Sequence, residues 1–261
     1  MENDTLKIAL IQSDLIWENP EENRINFTNK IITIVEKVDM IILPEMFSTG
    51  FTMNPLELAE TMKGDTVAWM QKIAQQKHAA VIGSLVIEEN KQYYNRLLFV
   101  HPSGDIDSYD KRHTFTLAGE DKVYTAGSEK LIVDYKGWKI CPLVCYDLRF
   151  PVWSRNVEEY DVLLYVANWP AVRTNAWDAL LKARAIENMS YCIGVNRVGT
   201  DANNNDYSGH SSAYDVLGNR LDHIEENVEA IEVVALSNTE LQTHRNKLNF
   251  LADRDKFSLT R

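Results

Sequence analysis

No part of this 261-residue chain is apolar over anything approaching the roughly 18 residues that a membrane span needs. The opening residues, MEND, are acidic and polar and have no apolar segment behind them, so no secretory signal is expected. Cysteine is scarce: Cys141, Cys145 and Cys192 are an odd number without framework spacing, which excludes a disulfide scaffold and suits a reducing compartment. The six histidines are scattered and no CxxC or HxxxH pair exists, so no metal site is expected, and nothing in the chain calls for a cofactor. Lysine and arginine form no basic run, and the net charge of -11 argues against a nucleic-acid partner. There is also no low-complexity linker. These absences lead us to expect a cytoplasmic protein of one domain over residues 1–261, with its core at about 6–235 and a tail at 236–261.

What is present is an ordinary globular composition, 45% hydrophobic and 25% charged. Residues 6–12 (LKIALIQ) read as a buried strand. A helix follows, with Asn19 as cap, Pro20 at its first position, Glu21 and Glu22 at the positive end of the dipole, and Ile25, Ile32 and Val35 on its apolar face. Residues 38–43 (VDMIIL) form a second strand, so the chain opens as a β-α-β unit, the pattern of a parallel sheet. The next helix spans 65–77, with Asp65 as cap and Trp69, Met70, Ile73 and Ala74 as core. Residues 79–86 and 95–101 then form an antiparallel pair, and 107–111 a short strand. The second half repeats this rhythm: strands at 131–133, 138–144, 161–167, 191–197 and 229–235, with a helix at about 175–189. An exposed Asn- and Asp-rich loop is expected at 199–208. The fold class is α/β.

Three strand ends carry chemistry-bearing residues. In residues 140–151 (ICPLVCYDLRFP) an apolar strand runs into Cys145 before Pro151 opens a helix, a strand-turn-helix elbow of the kind that presents a nucleophile. The alternative is that Cys145 only packs, as most free cysteines do. In LPEMFSTGF, Glu45 follows the second strand among apolar neighbours, so it is either a solvated loop charge or a buried site group. Lys111 ends the 107–111 strand, where a solvated lysine is the ordinary reading, and the irregular loop from there to Gly127 contains Glu120.

Taken in order, LPEMF with Glu45, YDKRH with Lys111 and CYDLRFP with Cys145 resemble the nitrilase superfamily of carbon-nitrogen hydrolases. The similarity extends to NWP, ARAIEN, NRVG and GHSSAYDVLG and spans about residues 6–235. The resemblance implies a four-layer α-β-β-α sandwich, a Glu45, Lys111, Cys145 triad joined by Glu120, and a homodimer. EMFSTGF and NWPAVRTNAWDALLKARAIEN are similar to the omega-amidase branch, which implies a small 2-oxo acid amide as substrate, 2-oxoglutaramate or 2-oxosuccinamate. Nitrilases proper carry Trp and Glu after the cysteine; Tyr146 and Asp147 here favour an amide over a nitrile. Rival readings are an amidase for carbamoyl amino acids or deaminated peptides, and a non-catalytic binding subunit with a damaged triad. A papain-type pair is weaker, because neither His113 nor His210 has that signature.

The chemistry fits these groups. A free thiol is mostly protonated at neutral pH and needs a base, which would be Glu45; the charge that develops on the amide oxygen needs a cation, Lys111, with the backbone N–H of Tyr146 as a second donor. A substrate carboxylate needs a local guanidinium: Arg173, with Trp169 as a wall, or Arg149, for which an ion pair bracing the elbow is the competing role.

Overall fold

The computed structural model describes residues 4–259. Met1 to Asn3, on which part of the expectation about the start of the chain rested, lie outside the described residues, as do Thr260 and Arg261 of the tail. The chain runs β1 (Thr5–Gln12), α1 (Pro20–Ile32), β2 (Met40–Ile42), α2 (Pro55–Leu58), α3 (Asp65–Lys77), β3 (Ala80–Glu89), β4 (Gln92–Val100) and β5 (Ile106–Asp110). It continues through β6 (Val133–Tyr135), β7 (Trp138–Val144), α4 (Pro151–Ser154), β8 (Val162–Ala167), α5 (Thr174–Asn188) and β9 (Tyr191–Asn196). The remainder is β10 (Val198–Thr200), β11 (Asp206–Ser208), β12 (Ser212–Tyr214), β13 (Ala230–Ser237) and α6 (Asn238–Leu248).

Two mixed sheets result. The first has the order β13-β1-β2-β3-β4-β5 and the second β12-β9-β8-β7-β6. In each, three central strands are parallel, β1-β2-β3 and β7-β8-β9, because helices cross between them. The flanking strands are antiparallel; where the connection is short, as at the Asn90-Lys91 turn between β3 and β4, with φ of 53° and 62°, no crossover can fit. Alternation along the first sheet sends Leu6, Ile8, Leu10, Met40, Ile42, Ile82 and Phe99 into the core shared with the second sheet. Ala9, Ile11, Ile41, Leu43, Val81 and Leu98 face the other way, against Phe27 and Ile31 of α1 and Val67, Met70 and Ile73 of α3. On the far side, Trp177, Leu181 and Ala185 of α5 cover the second sheet. This is the four-layer α-β-β-α sandwich. Among the described residues no helix is long and apolar enough to cross a membrane.

Three local expectations need correction. Ile25, Ile32 and Val35 do not form the buried face of α1; they are 54%, 66% and 98% exposed, and Asn23, Phe27 and Ile31 are buried instead. The phase is set by Asn23, whose amide nitrogen donates to the carbonyls of Ile16 and Ser48. Asp65 is not the cap of α3 but its first residue; Gly64 holds the cap position, and the Glu60 carboxylate accepts from the Thr66 amide. Within 199–208, Thr200 and residues 202–206 are exposed as expected, but the segment is not a plain loop: β10 and β11 pair as a hairpin that buries Asp201, Tyr207 and Ser208. The last strand, β13, pairs with β1 along its whole length, and α6 is tied to the second sheet by Arg245, which donates to Asp161 Oδ1 and to the carbonyls of Tyr160 and Met189.

Candidate active site

The carboxyl ends of β2, β5, β7 and β8 lie together, and each delivers one polar residue. Glu45 follows β2 by three residues, Lys111 and Cys145 directly follow β5 and β7, and Asn168 directly follows β8. The elbow exists: Cys145 has φ of 43°, a conformation rarely adopted by a residue with a Cβ, and begins a 3-10 turn over Cys145–Arg149 that leads into α4. At the start of that turn the Tyr146 amide has no acceptor within the turn.

Glu45, Lys111 and Glu120 are almost completely buried, at 0%, 1% and 0% exposure. The Lys111 ammonium donates to Glu45 Oε1 at 2.9 Å and to both Glu120 oxygens at 3.0 and 2.9 Å. Asn95, which points inward from β4, donates from Nδ2 to Glu45 Oε1 at 2.8 Å and to Glu120 Oε1 at 3.2 Å. Glu45 Oε2 accepts from the Asn168 amide at 2.8 Å, and Glu120 Oε2 from the Phe115 amide at 2.5 Å. Every contact to these carboxylates is a donor, as ionised acceptors require.

Burial alone would lower the Lys111 ammonium, yet the facing Glu120 and Glu45 carboxylates hold it well above its ordinary value, so it stays charged. Burial pushes the Glu120 carboxyl up; Lys111 opposes that, and the neighbouring Glu45 adds to it. The Cys145 thiol is likewise raised well above its ordinary value, first by burial and then by Glu45, with Lys111 pulling the other way. Its resting form is therefore the thiol, and its Sγ lies 3.8 Å from the Asn168 carbonyl.

Cys145 and Lys111 open into one cavity of about 270 Å³, whose wall also includes Phe51, Phe115, Tyr146, Trp169, Tyr207, Asn168 and Asn205. Arg149 and Arg173 line it as well. The Arg149 guanidinium lies over the Trp169 ring at 4.8 Å and that of Arg173 over Phe115 at 5.3 Å. The ion pair proposed to hold Arg149 against the elbow is not formed: neither guanidinium has a carboxylate partner among the described residues. The elbow is braced instead by Arg184, which donates to the Leu148 carbonyl, and by Asp147. Trp169 is fixed by its own Nε1, which donates to the Arg173 carbonyl at 2.9 Å. Glu45, Lys111, Cys145, Glu120, Tyr146, Arg173, Trp169 and Arg149 thus converge on one place.

Asn95, Asn168, Phe51 and Tyr207 were not singled out from the sequence. Asn95 had a usable signal, being the one amide in the inward-facing part of QYYNRLLFV, where a buried polar group requires partners. Among the described residues no group of three or more His, Cys, Asp or Glu side chains is arranged to hold a metal ion.

Two sheets stacked in this order, with a buried thiol, ammonium and carboxylate pair at their strand ends, define a hydrolase of carbon-nitrogen bonds. The chain belongs to the carbon-nitrogen hydrolase family, whose model matches residues 7–246. It is 44% identical to the omega-amidase YafV of Yersinia enterocolitica, over 98% of this chain and 99% of that protein. It is 34% identical to the 2-oxoglutaramate amidase of Bacillus subtilis, over 82% and 84%. Among solved structures it resembles XC1258 of Xanthomonas campestris, a CN-hydrolase superfamily protein with an arsenic adduct in its active site, at 40% identity, a TM-score of 0.96 and coverage of 98% and 99%. The fold is shared at 20% identity by Nit3 of Saccharomyces cerevisiae, with a TM-score of 0.85.

Proposed function

We propose that this chain is an omega-amidase, a thiol hydrolase that cleaves the terminal amide of a small 2-oxo acid amide such as 2-oxoglutaramate or 2-oxosuccinamate. The observation that carries the reading is a cavity with two guanidiniums, neither paired with a carboxylate among the described residues, set beside a buried thiol in a chain of net charge -11. A neutral amide substrate would give those cations nothing to bind, whereas a 2-oxo acid amide brings a carboxylate. The relatives from Yersinia enterocolitica and Bacillus subtilis, an omega-amidase and a 2-oxoglutaramate amidase, support the same substrate class.

In this mechanism Cys145 Sγ attacks the amide carbon while Glu45 takes the thiol proton. The negative charge that develops on the carbonyl oxygen is met by the Lys111 ammonium and the Tyr146 amide, which stabilise the transition state more than the neutral amide. Glu45 returns the proton to the departing nitrogen, ammonia leaves, and the acyl group remains on sulfur as a thioester. Water, deprotonated by Glu45, then attacks the thioester carbon; Cys145 is released as the thiol and the product is the 2-oxo dicarboxylate. Glu120 holds Lys111 in place and keeps it charged. The enzyme works in the cytoplasm as a homodimer of single-domain subunits: the location and the single domain rest on the sequence features given above, the dimer on the family resemblance, and a light-scattering mass of one chain would remove the dimer.

Ammonia release is the test. Turnover of 2-oxoglutaramate should exceed that of glutamine and of N-carbamoyl amino acids by at least tenfold in kcat/KM, and Cys145→Ala should abolish it while the far-UV spectrum is kept. Equal rates on glutamine and 2-oxoglutaramate would overturn the substrate assignment, and an active Cys145→Ala enzyme would overturn the thioester route.

A further inference from the structure

Asp147 lies two residues after Cys145 and is fully buried. Its carboxylate accepts four hydrogen bonds. Oδ2 receives the Tyr109 hydroxyl at 2.8 Å and the Val144 amide at 3.1 Å. Oδ1 receives the His113 amide at 3.1 Å, and His113 Nδ1 lies 2.7 Å away. Tyr109 stands two residues before Lys111, and His113 two residues after it. A single carboxylate therefore grips the chain on both sides of the ammonium and also holds the last residue before the nucleophile. The grip is rigid: Tyr109 OH in turn accepts from Trp153 Nε1 at 3.0 Å, and the His113 ring stacks on Phe150 with centroids 3.6 Å apart and planes within 4°.

Lys111 follows a strand of the first sheet and Cys145 a strand of the second, so no backbone ladder sets their separation. The elements that could slide are the two stacked sheets; Glu45 and Asn168 join them on one side of the site, and Asp147 is the polar tie that joins the Lys111 segment to the Cys145 segment. We propose that Asp147 is a positioning residue that holds the Lys111 ammonium in register with the Cys145 thiol and the Tyr146 amide. It touches none of the reacting atoms; it acts through Tyr109, His113 and Val144. The inference rests on Lys111 and Cys145 having the roles given above. A displacement of about 1 Å in such a site costs on the order of a hundredfold in rate, which is the effect at stake.

The test reads the thiol without a substrate. Alkylation of Cys145 by iodoacetamide, followed by mass spectrometry of its peptide, should be slowed at least tenfold at pH 7.5 in Asp147→Asn, with the pH profile moved upward, toward the profile of Lys111→Met. The sign discriminates. If Asp147 mattered only as a nearby negative charge, its removal would ease thiolate formation and move the profile downward; if it only supported the fold, the profile of the folded fraction would not move. Tyr109→Phe removes one donor and keeps the ring, so it should shift the profile in the same upward direction by a smaller amount even if Asp147→Asn fails to fold. An unmoved or lowered profile in the folded variant or variants overturns the proposal. Because no substrate enters the measurement, failure of the wild-type enzyme to cleave 2-oxoglutaramate would count against the proposed function alone.

Discussion

At the scale of single residues the site is governed by an imbalance: two buried carboxylates share one ammonium. Lys111 has a folded-state value above its ordinary 10.5, so its contribution to stability is whole below that pH and is lost only as pH rises through the folded value. Replacing it by Met leaves Glu45 and Glu120 buried without a counter-ion. Such a broken pair costs about 3–5 kcal/mol near neutral pH. The Glu120 carboxyl, already pushed up by burial and then no longer opposed by Lys111, rises further, so the folded state binds a proton that the unfolded state does not, and the deficit should shrink as pH falls from 8 to 5. Urea midpoints at pH 5, 6.5 and 8 measure this; a pH-independent deficit would mean that the pair is not ionised. The two guanidiniums present a different problem, since each is stacked on an aromatic ring and neither has a carboxylate partner among the described residues. Whichever binds the substrate carboxylate contributes about 1.5–3 kcal/mol as a charge-assisted hydrogen bond. We expect Arg173→Ala to raise KM for 2-oxoglutaramate by one to two orders of magnitude, with little change for a neutral amide. If Arg149→Ala shows this split instead, the assignment passes to Arg149.

At the scale of elements, the hairpin of β10 and β11 supplies a wall of the cavity through Tyr207 and, from its tip, Asn205. Asp201 knits that tip by accepting from the amides of Asn203 and Asn205 at 2.9 Å each, from Asn205 Nδ2 at 3.0 Å and from the Tyr207 hydroxyl at 2.9 Å. Burial would raise its carboxyl, yet these donors hold it below the ordinary value, so the knot is intact above about pH 4 and loosens only in acid. Asp201→Ala should raise KM several-fold and leave kcat close to wild type; a fall in kcat with KM unchanged would place the hairpin nearer the chemistry than its geometry implies. The hairpin also shows why parts of the chain were illegible. Strands with an apolar run bounded by turn residues, such as β1, β2 and β7, are read directly because burial on both faces leaves a continuous signal. A run such as DANNND carries no apolar signal, and its order comes from one side chain bonding the backbone beyond it. The face of α1 was misread for a related reason: its phase is set by the buried polar Asn23, which a pattern of apolar residues does not register. The residues at the strand ends were legible as a motif, whereas Asn95 and Asp147, which hold them, act through long-range pairing that spacing along the chain does not reveal.

At the scale of the whole molecule the two sheets share the core that lies between them. Inner side chains of both contribute to one cluster, Phe99 of β4 meets Tyr135 of β6 with ring centroids 5.4 Å apart, and the chain crosses back through β13 and α6 to tie the first sheet to the second. The Arg245 contact with Asp161, at 2.7 Å, fastens that return, with both side chains mostly buried. Parting the sheets would expose this shared layer on both, so the protein should unfold as a single unit despite exceeding the size at which two-state behaviour is usual. Hydrogen exchange in rising urea, read peptide by peptide, should give coincident midpoints for β1–β3 and β7–β9. Arg245→Ala should lower both midpoints together, by an amount that corresponds to about 3–5 kcal/mol for a broken buried pair. Separate midpoints for the two sheets, or a shift confined to the second sheet in Arg245→Ala, would instead show two folding units joined only at their surfaces, and the strand ends that carry Lys111 and Cys145 would then be held in register by local contacts alone.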